Sequence, residues 1–119
     1  MAFTIIKKMR GDSYSIGKSL FDEAGYKIVD EILADVKKNN VELILPVDFV
    51  IADDFKAEAN TKVVSVDEGI PDGWMGLDCG PKSTELFKKA VLESKTVVWN
   101  GPAGVFEMEP FSKCTFGIA

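Results

Sequence analysis

Apolar residues Ile28, Val29, Ile32, Leu33 and Val36 recur at helical spacing between Asp22 and Asn39, which predicts an amphipathic helix over 22–39. Lys37 and Lys38 fall in its last turn, where cations suit the helix dipole. Asn39-Asn40 reads as its stop. A second helix is predicted from Ser83 to Glu93, with Leu86, Phe87, Ala90 and Val91 facing inward. Three stretches have strand character instead. The segment 41–53, VELILPVDFVIAD, is nearly continuously apolar from Leu43 to Val47, as suits a strand covered on both faces. Pro46 removes a ladder donor, so it points to an edge, a bulge or the end of that strand. KVVSV at 62–66 and KTVVW at 95–99 are the other two strand candidates. Residues 2–9, AFTIIKKM, suit the tail of a helix or a short strand equally. Glu109 followed by Pro110 marks the start of a third helix over PFSKCTFGIA. RGDSYSIG, DDFKAEANT and the long DEGIPDGWMGLDCGPKS are predicted loops.

Strands alternating with helices predict an α/β fold with a largely parallel sheet. No stop signal follows the last helix, so the chain is expected to be a piece of a longer one. Its 119 residues are enough for one domain with a modest core. The formal net charge of −5 argues against a nucleic-acid groove, which needs a basic face. It leaves nucleotides open, since a few backbone N–H groups and one lysine can hold them. Histidine is absent, which excludes a Ser-His-Asp triad, a Cys-His pair and a histidine metal site within these residues. Cys79 and Cys114 lie far apart with no Cys-x-x-Cys pair, so the spacing suggests neither zinc nor a thioredoxin-like motif. Reduced thiols in a cytosolic protein are the expectation. No apolar run approaches the length of a membrane span, and no signal peptide is expected at Met1.

Three stretches invite a chemical reading. GDSYSIGKS, 11–19, resembles a phosphate-binding P-loop, but Gly11 and Gly17 enclose five residues where that motif has four. A surface connection with a solvated Lys18 is the better expectation. GWMGLDCGP, 73–81, combines three glycines, which allow close backbone approach, with apolar Trp74, Met75 and Leu77. It could clamp a planar base, or be a tight irregular loop with a core tryptophan. TVVWNGPAGVFE, 96–107, ends an apolar run at Asn100 and turns through Gly101 and Gly104 to Glu107. In open α/β sheets ligands collect outside the carboxyl ends of strands, and acidic residues there hold ribose hydroxyls. Glu107 suits that role, or merely a charge at the start of the next helix.

Taken together, MAFT, IGKSLFDEAG, LPVDFV, GIPDGWMGLDCGPKS, VVWNGPAGVFEMEPF and SKCT resemble phosphoglycerate kinase, in that family's order over nearly the whole chain. The pairing of GWMGLDCGP with WNGPAGVFE is the most specific part. The resemblance implies a Rossmann-like three-layer domain, with residues 1–119 as the central part of its nucleotide-binding domain. Both flanks and the substrate domain would lie outside this sequence. It also implies a glycolytic phosphotransferase that moves phosphoryl between 1,3-bisphosphoglycerate and ADP, giving 3-phosphoglycerate and ATP. Gly76 and Leu77 would line the adenine pocket, with Ala103 and Phe106 closing it. Glu107 would hold the ribose, and Asn100 and Gly101 would lie beside the phosphates. Magnesium would accompany the nucleotide, its protein ligand falling in a Gly-Gly-Asp-Thr segment that is not in this sequence. No catalytic residue is expected among these positions, and the piece alone is expected to be inactive. The parent is expected to be a cytoplasmic monomer with no nucleic-acid or membrane partner, an organelle form remaining open. Cys114 stands where the family usually has glycine. The alternative is a free-standing α/β nucleotide-binding module without catalysis.

Overall fold

A computed structural model describes residues 2–119; Met1, the first residue of the MAFT stretch, lies outside the described residues. Its first element answers the open question at 2–9. Helix α1, Ala2–Arg10, buries Thr4, Ile5 and Ile6 and carries Lys7, Lys8 and Arg10 in its last turn. Gly11 ends it at φ +98°, a conformation natural to glycine. Helix α2, Glu23–Lys38, follows the predicted span closely. Asp22 is its N-cap, the carboxylate accepting from the Gly25 N–H at 2.9 Å. Val29 is fully buried on the face toward α1, whereas Ile28 at the edge of that stripe is 47% exposed.

The sheet has three strands, β1 Asp48–Ala52, β2 Thr61–Ser65 and β3 Met75–Cys79, in the order β2-β1-β3. Both neighbours run antiparallel to β1, which corrects the expectation of a largely parallel sheet among the described residues. The reason is loop length. The connection 53–60 is far too short for the helical crossover that a parallel pair requires. The parallel element that does occur is an isolated bridge between Ile16 and Ile70. GWMGLDCGP is likewise not a loop, since its centre is β3.

Two strand candidates change character. Only the second half of 41–53 pairs, β1 starting just after Pro46. Residues 41–46 and the whole of 95–99 belong to no ladder. A strand is a paired state, and neither run forms a ladder with a second segment among the described residues. The side chains of 95–99 stay open to solvent, Val98 being 90% exposed, whereas Pro46 is buried and Leu45 packs against the core.

Central β1 separates two apolar clusters by the two-residue alternation of a strand. Phe49 and Ile51 join Ile6, Val64 and Ile70 on one side. Ala52, with Val50 packed beside it, joins Leu77 and Phe111 on the other. Helices therefore cover both faces locally. Helix α3, Pro81–Glu93, packs on β1 and on α4, Lys113–Ile118, which follows a 3₁₀ turn at Glu109–Phe111. The predicted third helix thus begins as a 3₁₀ turn at Glu109-Pro110. On α3, Phe87, Ala90 and Val91 are half-buried as expected, while Leu86 is exposed.

Asp48 joins sheet to helix. Its buried carboxylate accepts from the N–H groups of Lys82 (3.1 Å) and Ser83 (2.8 Å) in the first turn of α3. Gly80, the N-cap, supplies no side chain, so the cap comes from β1 instead. The Ser83 hydroxyl accepts in return from the N–H groups of Val47 and Asp48. Removing a buried acceptor strands its donors at about 1–3 kcal/mol. We expect Asp48→Ala to lower stability by at least that much and Asp48→Asn, which keeps one acceptor, by less. Urea titration followed by far-ultraviolet circular dichroism checks both.

Candidate functional site

Strand β3 forms the floor of the main cleft because of what it lacks. Gly76 has no side chain, and the Phe3 ring of α1 presses on its Cα where any Cβ would collide. The Gly76 N–H donates to the Ser19 hydroxyl at 2.8 Å, and the Trp74 carbonyl accepts from the Lys18 N–H at 2.8 Å. GDSYSIGKS is thus docked onto β3. It follows a helix rather than a strand, so it is not a P-loop. Lys18 is exposed as expected, but Ile16 and Ser19 are buried, which corrects the reading of a mere surface connection.

The other wall is the turn after Trp99. Gly101 adopts φ +93°. Gly104 lies against the Asp78 carboxylate and the Phe111 carbonyl, again where a Cβ would collide. The Val105 N–H donates to the Leu77 carbonyl at 3.0 Å, and the N–H groups of Ala103 and Gly104 donate to the Thr115 hydroxyl at 3.1 and 3.3 Å. These bonds hold the turn to β3 and α4.

Between the walls lies a cleft of about 680 Å³, within the range of small-molecule sites. Three predicted residues, Gly76, Leu77 and Ala103, line it together with Phe3 and Val105. Asn100 and Gly101 line a separate, shallower hollow of about 300 Å³ against α3, to which Ala103 also contributes. Phe106 and Glu107 line neither and are exposed. Phe3 and Val105 were not singled out from the sequence. Val105 follows a predicted residue closely, but nothing in the pattern ties Phe3 to Gly76. Trp74 packs against a core cluster rather than a ligand space, with the Lys62 ammonium 4.6 Å from its ring centre, whereas Met75 packs against the other cluster and also lines the cleft.

Asp78 is the one carboxylate on the cleft wall among the described residues, and it is turned inward. Its oxygens accept from the backbone N–H groups of Cys79 (2.8 Å) and Cys114 (3.1 Å). Burial pushes its carboxyl above the ordinary aspartate range, and those two bonds oppose the shift. The two cysteines, distant in sequence, are thereby neighbours.

The chain matches the family described as Phosphoglycerate kinase over residues 1–119. It is 60% identical over 115 residues to the phosphoglycerate kinase of Candida albicans and 58% identical over 115 residues to that of Debaryomyces hansenii. Each match covers 97% of this chain and 27% of the relative, so the chain spans about a quarter of the length of these relatives. The structure of phosphoglycerate kinase from Coxiella burnetii superposes with a TM-score of 0.89 at 34% identity, covering 98% of this chain and 29% of that one. That from Pyrococcus horikoshii gives 0.63 at 20% identity over 98% of this chain and 29% of that one, and shows the fold alone.

Gly104 is the tightest point in the wall. Gly104→Ala forces a methyl group against Asp78 and the Phe111 carbonyl, an overpacking that costs about 1–3 kcal/mol. We expect a lower urea midpoint and faster proteolytic cutting in 100–107, measured by denaturation and by timed digestion with mass spectrometry.

Proposed function

The chain belongs to the phosphoglycerate kinase family, and on that premise we propose that it forms the central part of that enzyme's nucleotide-binding domain. The parent then transfers phosphoryl between 1,3-bisphosphoglycerate and ADP. The observation that carries this reading is the cleft in which Gly76 and Leu77 of β3 face Ala103 across about 680 Å³. A groove lined by Phe3, Leu77 and Val105 suits a flat adenine ring. In this reading Phe106 closes over the base, Glu107 accepts from the ribose hydroxyls, and Asn100 and Gly101 stand toward the phosphates. Segments 41–46 and 95–99, unpaired here, become strands of a larger parallel sheet in the parent, which completes the Rossmann-like three-layer domain.

The reaction needs no general base. Its attacking groups, a carboxylate in one direction and a nucleotide phosphate in the other, are already ionised. Catalysis is then positioning and charge stabilisation, which suits a chain without histidine. The family uses a magnesium nucleotide. Of the described residues the cleft wall offers Asp78 alone, and both its oxygens already accept backbone N–H groups. This cleft therefore does not fit the metal, and the proposed magnesium ligand lies elsewhere in the parent. Among the described residues no helix is long and apolar enough to cross a membrane, and a cytoplasmic monomer is the proposed state of the parent.

Two measurements test the reading. In the full-length protein, a lost hydrogen bond to a charged acceptor is worth about 1.5–3 kcal/mol. Glu107→Ala then weakens ADP binding roughly ten- to a hundredfold and reduces discrimination between ADP and 2′-deoxy-ADP, as calorimetric titration reads directly. An unchanged ratio of the two affinities rejects the ribose role. The 119 residues alone, given ADP and 1,3-bisphosphoglycerate in a coupled assay, form no ATP above a mock preparation. ATP formation would place the phosphate-handling groups within this sequence after all.

A further inference from the structure

We propose that Cys79 and Cys114 form a redox-active dithiol that small hydroperoxides close to a disulfide, tying β3 to α4 directly beneath the cleft. The proposal stands on the geometry of the pair and does not depend on the nucleotide reading.

A carboxylate oxygen of Asp78 and the two sulfurs all lie within 4.8 Å of one another. The backbones are held in place as well. One carboxylate accepts the N–H groups of both cysteines, so the two main chains meet at a single side chain. A disulfide requires such closeness, with Cα atoms usually 4.4–6.8 Å apart. Both thiols are free. Access is present too. Cys79 is half-buried and lines both the main cleft and a second cavity of about 420 Å³, to which Thr84 and Lys113 contribute. Cys114 is fully buried and lines neither cavity, so Cys79 is the sulfur that meets the oxidant, and the narrow approach favours one as small as hydrogen peroxide over a bulky disulfide.

The chemistry balances in two steps. The Cys79 thiolate attacks one peroxide oxygen and the O–O bond breaks. The departing hydroxide takes up the proton that Cys79 gave up on ionising and leaves as water, so Cys79 becomes a sulfenic acid. The Cys114 sulfur then attacks the sulfenic sulfur and the S–O bond breaks. The Cys114 proton leaves with the second hydroxide as another water. Two thiols lose two electrons, one hydroperoxide gains them, and a thiol reductant reverses the change.

The test exposes the protein to hydrogen peroxide in buffer and in concentrated guanidinium, quenches with acid and alkylates the remaining thiols. Intact mass and peptide mapping give the products. Folded protein should lose two hydrogens, resist alkylation at both cysteines and recover with dithiothreitol. It should do so at least ~tenfold faster than unfolded chain, because the fold has already brought the sulfurs together. Cys114→Ser should stop at a dimedone-trappable sulfenic acid on Cys79. Equal rates in buffer and guanidinium overturn the proposal, and so does independent oxidation of both sulfurs to sulfinic acids. The comparison uses the unmodified protein, so it stands whether or not the variant folds.

Discussion

The hydrogen-bonded exchange between Asp48 and Ser83 is the joint on which the rest of this structure hangs. Asp48 opens the central strand, and its carboxylate caps α3. Ser83 sits in the first turn of α3, and its hydroxyl takes the N–H groups that β1 cannot pair within the sheet. Each element satisfies the other's orphan backbone groups, which helix ends and strand ends both carry. The fit is close enough that Gly80 admits no Cβ beside the Asp48 carboxylate. Because Gly80 directly follows β3, the same joint fixes where β3 ends and α3 begins.

The cleft inherits its precision from that arrangement. β3 pairs with β1 through a register irregularity between Val50 and Ile51. Its residues then work in opposite directions. Gly76 lies under Phe3 on the α1 side, Leu77 joins the cluster with Phe111, and Asp78 reaches the turn carrying Gly104 and the start of α4. One short strand therefore sets the distance between the two walls of the cleft.

Legibility in the sequence followed the range of the forces involved. Helices α2 and α3 were readable because their apolar stripes are local. Pro46 argued against the middle of a strand for an equally local reason, the missing donor, but it precedes β1 rather than marking the edge, bulge or end expected there. β3 was hidden because Gly73, Gly76 and Gly80 read as turns, and its strand state comes from pairing with β1. Residues 95–99 misled in the opposite sense, having strand composition without a partner in this structure. Gly76, Leu77 and Ala103 were found as neighbours because GWMGLDCGP and WNGPAGVFE are distinctive stretches. Phe3 was not, and neither was the meeting of Cys79 with Cys114, since both contacts exist only once the chain has closed over long separations.

The central place of β1 also sets a gradient of local opening. Its amides are flanked by a ladder on each side and by apolar clusters on both faces, so they should exchange hydrogen with solvent only when the whole molecule unfolds. β2 lies at the edge with Lys62 and Val63 exposed, and its outward amides should open sooner. Residues 95–99, outside every ladder, should exchange almost as free chain does. A molecule built around one protected strand therefore carries at its periphery the segments freest to change partners, and it can do so without disturbing the joint at Asp48.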